Sequence, residues 1–147
     1  MKIIIRILAY VLIIFHGTLA IANDHDQDAA IVSKSEQLVK IVYHLNEREK
    51  SRMLVESVTE LLNASGEIDI KVVIHGIAII RLAKNDDMSK EFANLIERGV
   101  EIGACSNSIL RRRVDPSTMI DGVELITEGG VKRLLTLQQR GYLYIKI

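Results

Sequence analysis

A single cysteine, Cys105, occurs in this chain of 147 residues. It follows the compact, mostly apolar run Val100-Glu101-Ile102-Gly103-Ala104, and Ser106 and Asn107 come directly after it. The run reads as a short strand and the two polar residues as helix N-caps, so the spacing predicts a thiol delivered by a strand to the start of a short helix. Unpaired N–H groups and the helix dipole place partial positive charge there, which favours the thiolate, the form that acts as nucleophile. Free cysteine also serves as a small buried hydrophobe, chemically inert in a core. The residues alone leave a reactive thiol and a structural one both open.

Other groups are spaced to join that thiol. His75-Gly76 closes a second apolar run, Val72-Val73-Ile74. C-terminal strand ends of a parallel sheet share one edge, so His75 is expected near Cys105, where a Cys–His pair favours the thiolate further. A histidine that only hydrogen-bonds backbone is the alternative. Gly76 suits a tight turn or the close approach of another group. His44 ends an earlier strand at the same edge and reads as a polar residue in a loop mouth. Arg111-Arg112-Arg113 follows the cysteine helix, either as solvated cations at the negative end of its dipole or as a basic surface for an anionic donor or acidic partner. Successive helix residues splay around the axis, so not all three can face one ligand. Gly129-Gly130 opens a later helix, a place where phosphate can be cradled, yet the chain has neither a P-loop Gly-Lys-Ser/Thr nor a G-x-G-x-x-G.

Strands and helices must alternate to position these groups. Leu38 to His44 is nearly continuous in apolar character, as in a buried parallel strand. Asn46 and Glu49 have the spacing of a capping box, followed by an apolar stripe of Leu54, Val58, Leu61 and Leu62 and a stop at Gly66. Ile68 to His75 forms the second strand, and Ile77 to Leu82 begins a short helix. Asp86 or Asp87 caps a helix whose stripe is Met88, Phe92, Leu95 and Ile96, with Gly99 as its stop. Asp115-Pro116 supplies a cap and a first helical position, and Val123 to Ile126 is a weak fourth strand. Val131, Leu134, Leu135 and Gln138 lie along one side of the last helix, Gly141 stops it, and Tyr142 to Ile145 closes the sheet with both tyrosines on one face. The pattern predicts one three-layer α/β domain with a mostly parallel sheet of five strands.

With Val72-Val73-Ile74-His75-Gly76 as its second strand and turn, and Leu137 to Lys146 as its closing helix and strand, the chain from about Leu38 onward resembles the DsrE/DsrF-like sulfur-relay family. The segment from Gly99 to Arg112 is similar to that family's cysteine segment. The resemblance implies a flavodoxin-like architecture, a homo-oligomer, trimeric or hexameric, and no required cofactor. It also implies that Cys105 takes up sulfane sulfur as a persulfide, with His75 assisting. The N–H groups around Ser106 and Asn107 would stabilise the anion, and Gly76 and Arg111 would help to bind.

The N-terminus is set apart from this domain. Lys2 and Arg6 precede an apolar run from Ile7 to Phe15, and Ala20-Ile21-Ala22 supplies the small-residue pattern of a cleavage site. Residues 1–22 thus read as a secretory signal peptide, residues 23–35 as a flexible lead-in and residues 36–147 as the domain. The expected location is periplasmic or otherwise exported, with no membrane attachment after cleavage. Cleavage after Ala22 leaves Asn23-Asp24-His25 at the terminus, where a histidine at position three is able to bind Cu(II) or Ni(II) in a square plane. It also removes two basic residues, leaving 17 basic against 19 acidic. That balance, with no tryptophan and only 4% aromatic residues, argues against a nucleic-acid partner.

Two functions from different classes follow. One is a small protein with a reactive Cys105 that relays sulfur between a donor and an acceptor protein. The other is a non-catalytic oligomeric binding or scaffold protein with a buried, inert cysteine. Nucleotide binding has only the fold type behind it, and fold does not imply function.

Overall fold

The computed structural model describes residues 38–64 and 67–147. The signal peptide, the lead-in with its Asn23-Asp24-His25 motif, and the helix stop at Gly66 lie outside the described residues. Five parallel strands form one sheet in the order β4-β3-β2-β1-β5: β1 is Val39–Leu45, β2 Ile68–Ile74, β3 Glu101–Cys105, β4 Glu124–Ile126 and β5 Leu143–Lys146. Among the described residues four α-helices accompany them: α1 Ser51–Asn63, α2 Ser89–Glu97, α3 Ser106–Arg112 and α4 Gly130–Gln139. The architecture is the expected three-layer α/β one, and the sheet is parallel throughout.

Strand alternation divides the side chains between two faces. Ile41, Tyr43 and Leu45 of β1, Ile70, Val72 and Ile74 of β2, and Ile102 and Ala104 of β3 point to a large core with Leu54 and Val58 of α1, Phe92 and Leu95 of α2, and Ile109 of α3. The opposite face is built from Val42, Val73, Ile126 and Tyr142 against Leu134 and Leu137 of α4. The asymmetry follows from chain direction. From β1 to β4 the chain steps one way across the sheet, so right-handed crossovers stack their helices on one face. Only the return from β4 to β5, beyond β1, runs the other way, and it lays α4 alone on the second face.

Several local expectations change. Ile77 to Leu82 belongs to a 3₁₀ helix, Gly76–Leu82, with Ala78, Ile79 and Leu82 buried. The capping box at Asn46 and Glu49 does not form, because Asn46 Oδ1 accepts from Lys146 Nζ at 2.5 Å instead. A 3₁₀ turn at Arg48–Lys50 leads into α1, tied by Ser51 Oγ donating to the Arg48 carbonyl at 2.7 Å. Asp86 Oδ1 does accept from the Met88 N–H at 3.0 Å ahead of α2. Asp115 caps the turn Pro116–Thr118 by accepting from the Ser117 N–H at 2.9 Å. The inward stripe of α4 is Gly130, Leu134 and Leu137, while Val131 and Leu135 are 64% and 58% exposed.

Candidate functional site

Cys105 ends β3 and is itself the N-cap of α3, one position before Ser106 and two before Asn107, the expected caps. The N–H groups of the first turn therefore surround the sulfur directly. A further donor arrives from across the sheet: the N–H of Gly130, first residue of α4, reaches Cys105 Sγ at 3.3 Å. Burial pushes the thiol pKa up, but the Gly130 N–H, the N–H and hydroxyl of Ser108, and the Asn107 N–H outweigh it and hold the thiol below its ordinary value.

Gly130 is what allows this approach. A Cβ there would lie 3.4 Å from Cys105 Cβ and 3.5 Å from His75 Cβ, so the start of α4 sits directly over both residues. Gly129, the N-cap of α4, holds φ at +94°, in the region that favours glycine. Gly76 does the same after β2, with φ +65°, and a side chain there would meet the Asn46 carbonyl oxygen at 3.0 Å. Its N–H donates to Ser108 Oγ at 2.9 Å, which ties the His75 turn to the cysteine helix.

A cleft of about 440 Å³ opens over the thiol. Of the residues singled out from the sequence, Cys105, His75, Asn107 and Arg111 line it, whereas Ser106 and Gly76 do not. Glu128 and Lys132 bring charge to its wall, and Val131 and Leu135 bring apolar surface. Cys105 is only 5% exposed, so the cleft is the route by which a reagent meets its sulfur. Among the described residues, no group of three or more His, Cys, Asp or Glu is placed to hold a metal ion.

His75 makes its hydrogen bond with histidine rather than with backbone. Its Nε2 meets Nε2 of His44, and His44 Nδ1 is 2.6 Å from the Tyr144 hydroxyl. Burial, then the charges of His75 and Lys146, lower the His44 pKa to about 4. Burial and Lys146 lower that of His75 as well. Sequence reasoning placed His44 at the correct edge but did not pair it, because the partner strand of Tyr144 is set by the sheet order. Ser108 was missed although its signal is local: it stands at the third helical position after the cap, the spacing at which a side chain folds back on a helix start.

An all-parallel α/β domain with a capped, hydrogen-bonded cysteine at a strand-to-helix junction defines the class of protein. The chain belongs to the DsrE/DsrF-like family, whose model matches residues 39–147. Comparison with curated proteins finds no match. Among solved structures it is similar to a protein of unknown function from Methanobacterium thermoautotrophicum, at 23% identity and TM-score 0.70 over 74% of this chain and 99% of that one. It is also similar to the ychN protein from E. coli, at 17% identity and TM-score 0.62 over 75% and 100% of the two chains. A conserved protein of unknown function from Bacteroides thetaiotaomicron matches at 18% identity and TM-score 0.62 over 74% and 94%. These likenesses establish the shared fold.

Proposed function

We propose that Cys105 accepts sulfane sulfur as a persulfide and hands it to a second thiol. The observation that carries this reading is the Gly130 N–H aimed at Sγ at 3.3 Å, on the floor of a cleft that also holds His75. In the first step the Cys105 thiolate attacks the outer sulfur of a donor persulfide. A Cys105 S–S bond forms, the donor S–S bond breaks, and the donor leaves as a thiolate. An acceptor thiolate then attacks the outer sulfur on Cys105 and regenerates the Cys105 thiolate, with no net change of oxidation state. The N–H groups of Gly130, Asn107 and Ser108 stabilise the anion at both ends of this cycle. In the same reading the protein is exported, on the strength of its N-terminal sequence, and assembles as a trimer or hexamer of identical chains.

The 5% exposure of Cys105 favours the second reading, a binding or scaffold protein with an inert cysteine. Alkylation rates of the folded protein across pH, with the unfolded protein as reference, decide between them. The expected result is labelling of the folded state with a midpoint well below a free thiol's value of roughly 8.5, followed by uptake of sulfur from a small-molecule persulfide. Labelling only on unfolding would leave the scaffold reading in its place.

A further inference from the structure

The contact between His44 and His75 has a geometry that ties the tautomer of one ring to that of the other. Their ring planes are 14° apart and their centroids 4.6 Å apart, while the two Nε2 atoms are in direct contact. A separation that short between nitrogens, with one ring radius added at each end, accounts for the centroid distance, so the rings meet edge to edge in nearly one plane rather than face to face. Two nitrogens in that arrangement need one proton between them: one donates and the other accepts.

That requirement propagates. His44 Nδ1 contacts the Tyr144 hydroxyl at 2.6 Å, and Tyr144 is 42% exposed. At the other end, His75 Nδ1 has no hydrogen-bond partner among the described residues, and His75 lines the cleft with Cys105. Neutral imidazoles allow two complete patterns. In one, His75 donates from Nε2 to His44, His44 donates from Nδ1 to Tyr144, and His75 Nδ1 is a free acceptor. In the other, every donor and acceptor is reversed, and His75 Nδ1 carries a proton. Burial and Lys146, opposite His44 in the β1–β5 register, disfavour the charged form of both rings, and His75 adds to this at His44. The carboxylates nearby are Glu47, paired with Lys146, and Glu128 on the cleft wall. From α4 the residue above His75 is Gly130, which brings no charge, and Lys132 lines the cleft beyond it.

We propose that His75, His44 and Tyr144 form a proton relay that carries the Cys105 thiol proton from the cleft to the protein surface. This rests on the sulfur-transfer reading for its purpose, though not for its test. When Cys105 ionises, its proton passes through water in the shared cleft to His75 Nδ1, and the Nε2 proton of His75 moves to His44. The Nδ1 proton of His44 then moves to Tyr144, whose own proton leaves to water; the electron pair stays on Sγ. His75 Nδ1 is left protonated and returns that proton through the same cleft water when the sulfur needs one. His44 and Tyr144 are positioning residues here, acting through His75.

Imidazole ¹⁵N NMR on the labelled protein tests this directly. Both rings are expected to exchange tautomers together at the pH where Cys105 ionises, with a coupling between the two Nε2 nuclei, and to stop doing so in Cys105→Ser. Tautomers that stay fixed through that ionisation, or rings that change at separate pH values, overturn the relay. In the second arm Tyr144→Phe should lower the rate of loading from a small-molecule persulfide about tenfold while the Cys105 alkylation midpoint stays in place. An unchanged loading rate overturns the relay and leaves sulfur transfer standing. A wild-type protein that takes no sulfur overturns sulfur transfer, and the NMR result still decides the relay.

Discussion

The two faces of the sheet differ in what they bury and in what they do. Among the described residues, twenty buried apolar side chains make the first face, under three α-helices and a 3₁₀ segment, and six make the second, under α4 alone. The first face therefore holds most of the fold's hydrophobic stabilisation, and the second has room for polar chemistry. The strand alternation that points Ile74 and Ala104 into the large core turns Val73, His75, Gly103 and Cys105 the other way. One reversed crossover thus separates the stabilising half of the molecule from the half that carries the thiol and the histidines. Ligand crevices in such sheets lie at the C-terminal edge where the strand order reverses, and here that point is between β1 and β5, beside His44 and Tyr144.

Truncating a fully buried side chain on each face is the strongest way to break this comparison. Phe92 of α2 is 0% exposed in the large core, and Leu137 of α4 is 1% exposed in the small one. Phe92→Ala should cost about 3–5 kcal/mol, because the large cluster it belongs to is held between the helices and the sheet and cannot readily collapse into the cavity. Leu137→Ala should cost about 2–3 kcal/mol, since α4 rests on few partners and is free to settle. Urea unfolding of both variants measures this. A larger loss from Leu137→Ala would show that the second face is the stabilising one.

The next effect is smaller and comes from titration. His44 is neutral in the fold down to about pH 4, against an ordinary value near 6.5 in the unfolded chain. Below pH 6.5 the unfolded state thus binds a proton that the folded state does not, and stability falls as pH drops from 6.5 towards 4. Above 6.5 both states are neutral and the contribution is fully present. The ring is partly exposed, so solvent screening reduces the effect to about 1 kcal/mol. His75 is shifted in the same direction and adds to it. Replacing His44 with Gln should flatten the fall in urea midpoint between pH 6.5 and 4. A slope identical to wild type would move the acid sensitivity off this face.

Much of this division was readable in the chain, and the reasons for the gaps are physical. Apolar runs such as Val72-Val73-Ile74 marked each central strand, because a buried parallel strand leaves no polar alternation to confuse the period. Cys105 and His75 were assigned to one edge, since parallel strands admit no other arrangement. What failed was the facing of α4, where Val131 and Leu135 were grouped with Leu134. Both are apolar, but the buried side of α4 is fixed by Gly130 sitting over Cys105 and His75, and a glycine leaves no mark in a hydrophobic pattern. The His44–His75–Tyr144 chain stayed hidden for another reason: it needs the position of β5 beside β1, which local sequence does not encode.

Gly130 also provides the finest separation between electrostatics and access. It is a helical residue at the start of α4, outside the positive-φ region, so alanine is compatible with its backbone. The added methyl would stand 3.4–3.5 Å from Cys105 Cβ, His75 Cβ and Val73 Cγ1, ordinary contact distances that ask little of the neighbours. Gly130→Ala should therefore change stability by no more than about 0.5 kcal/mol, with the lower entropy of alanine in the unfolded chain offsetting any crowding. The N–H that reaches Sγ remains, so the alkylation midpoint of Cys105 should hold. The methyl nevertheless fills the space between Cys105 and His75 on the cleft floor, so the rate of alkylation above that midpoint should fall several-fold. A midpoint that rises while the rate above it stays constant would reverse the assignment. Glycine would then matter for aiming its N–H, and the second face would owe its reactivity to backbone geometry rather than to open space.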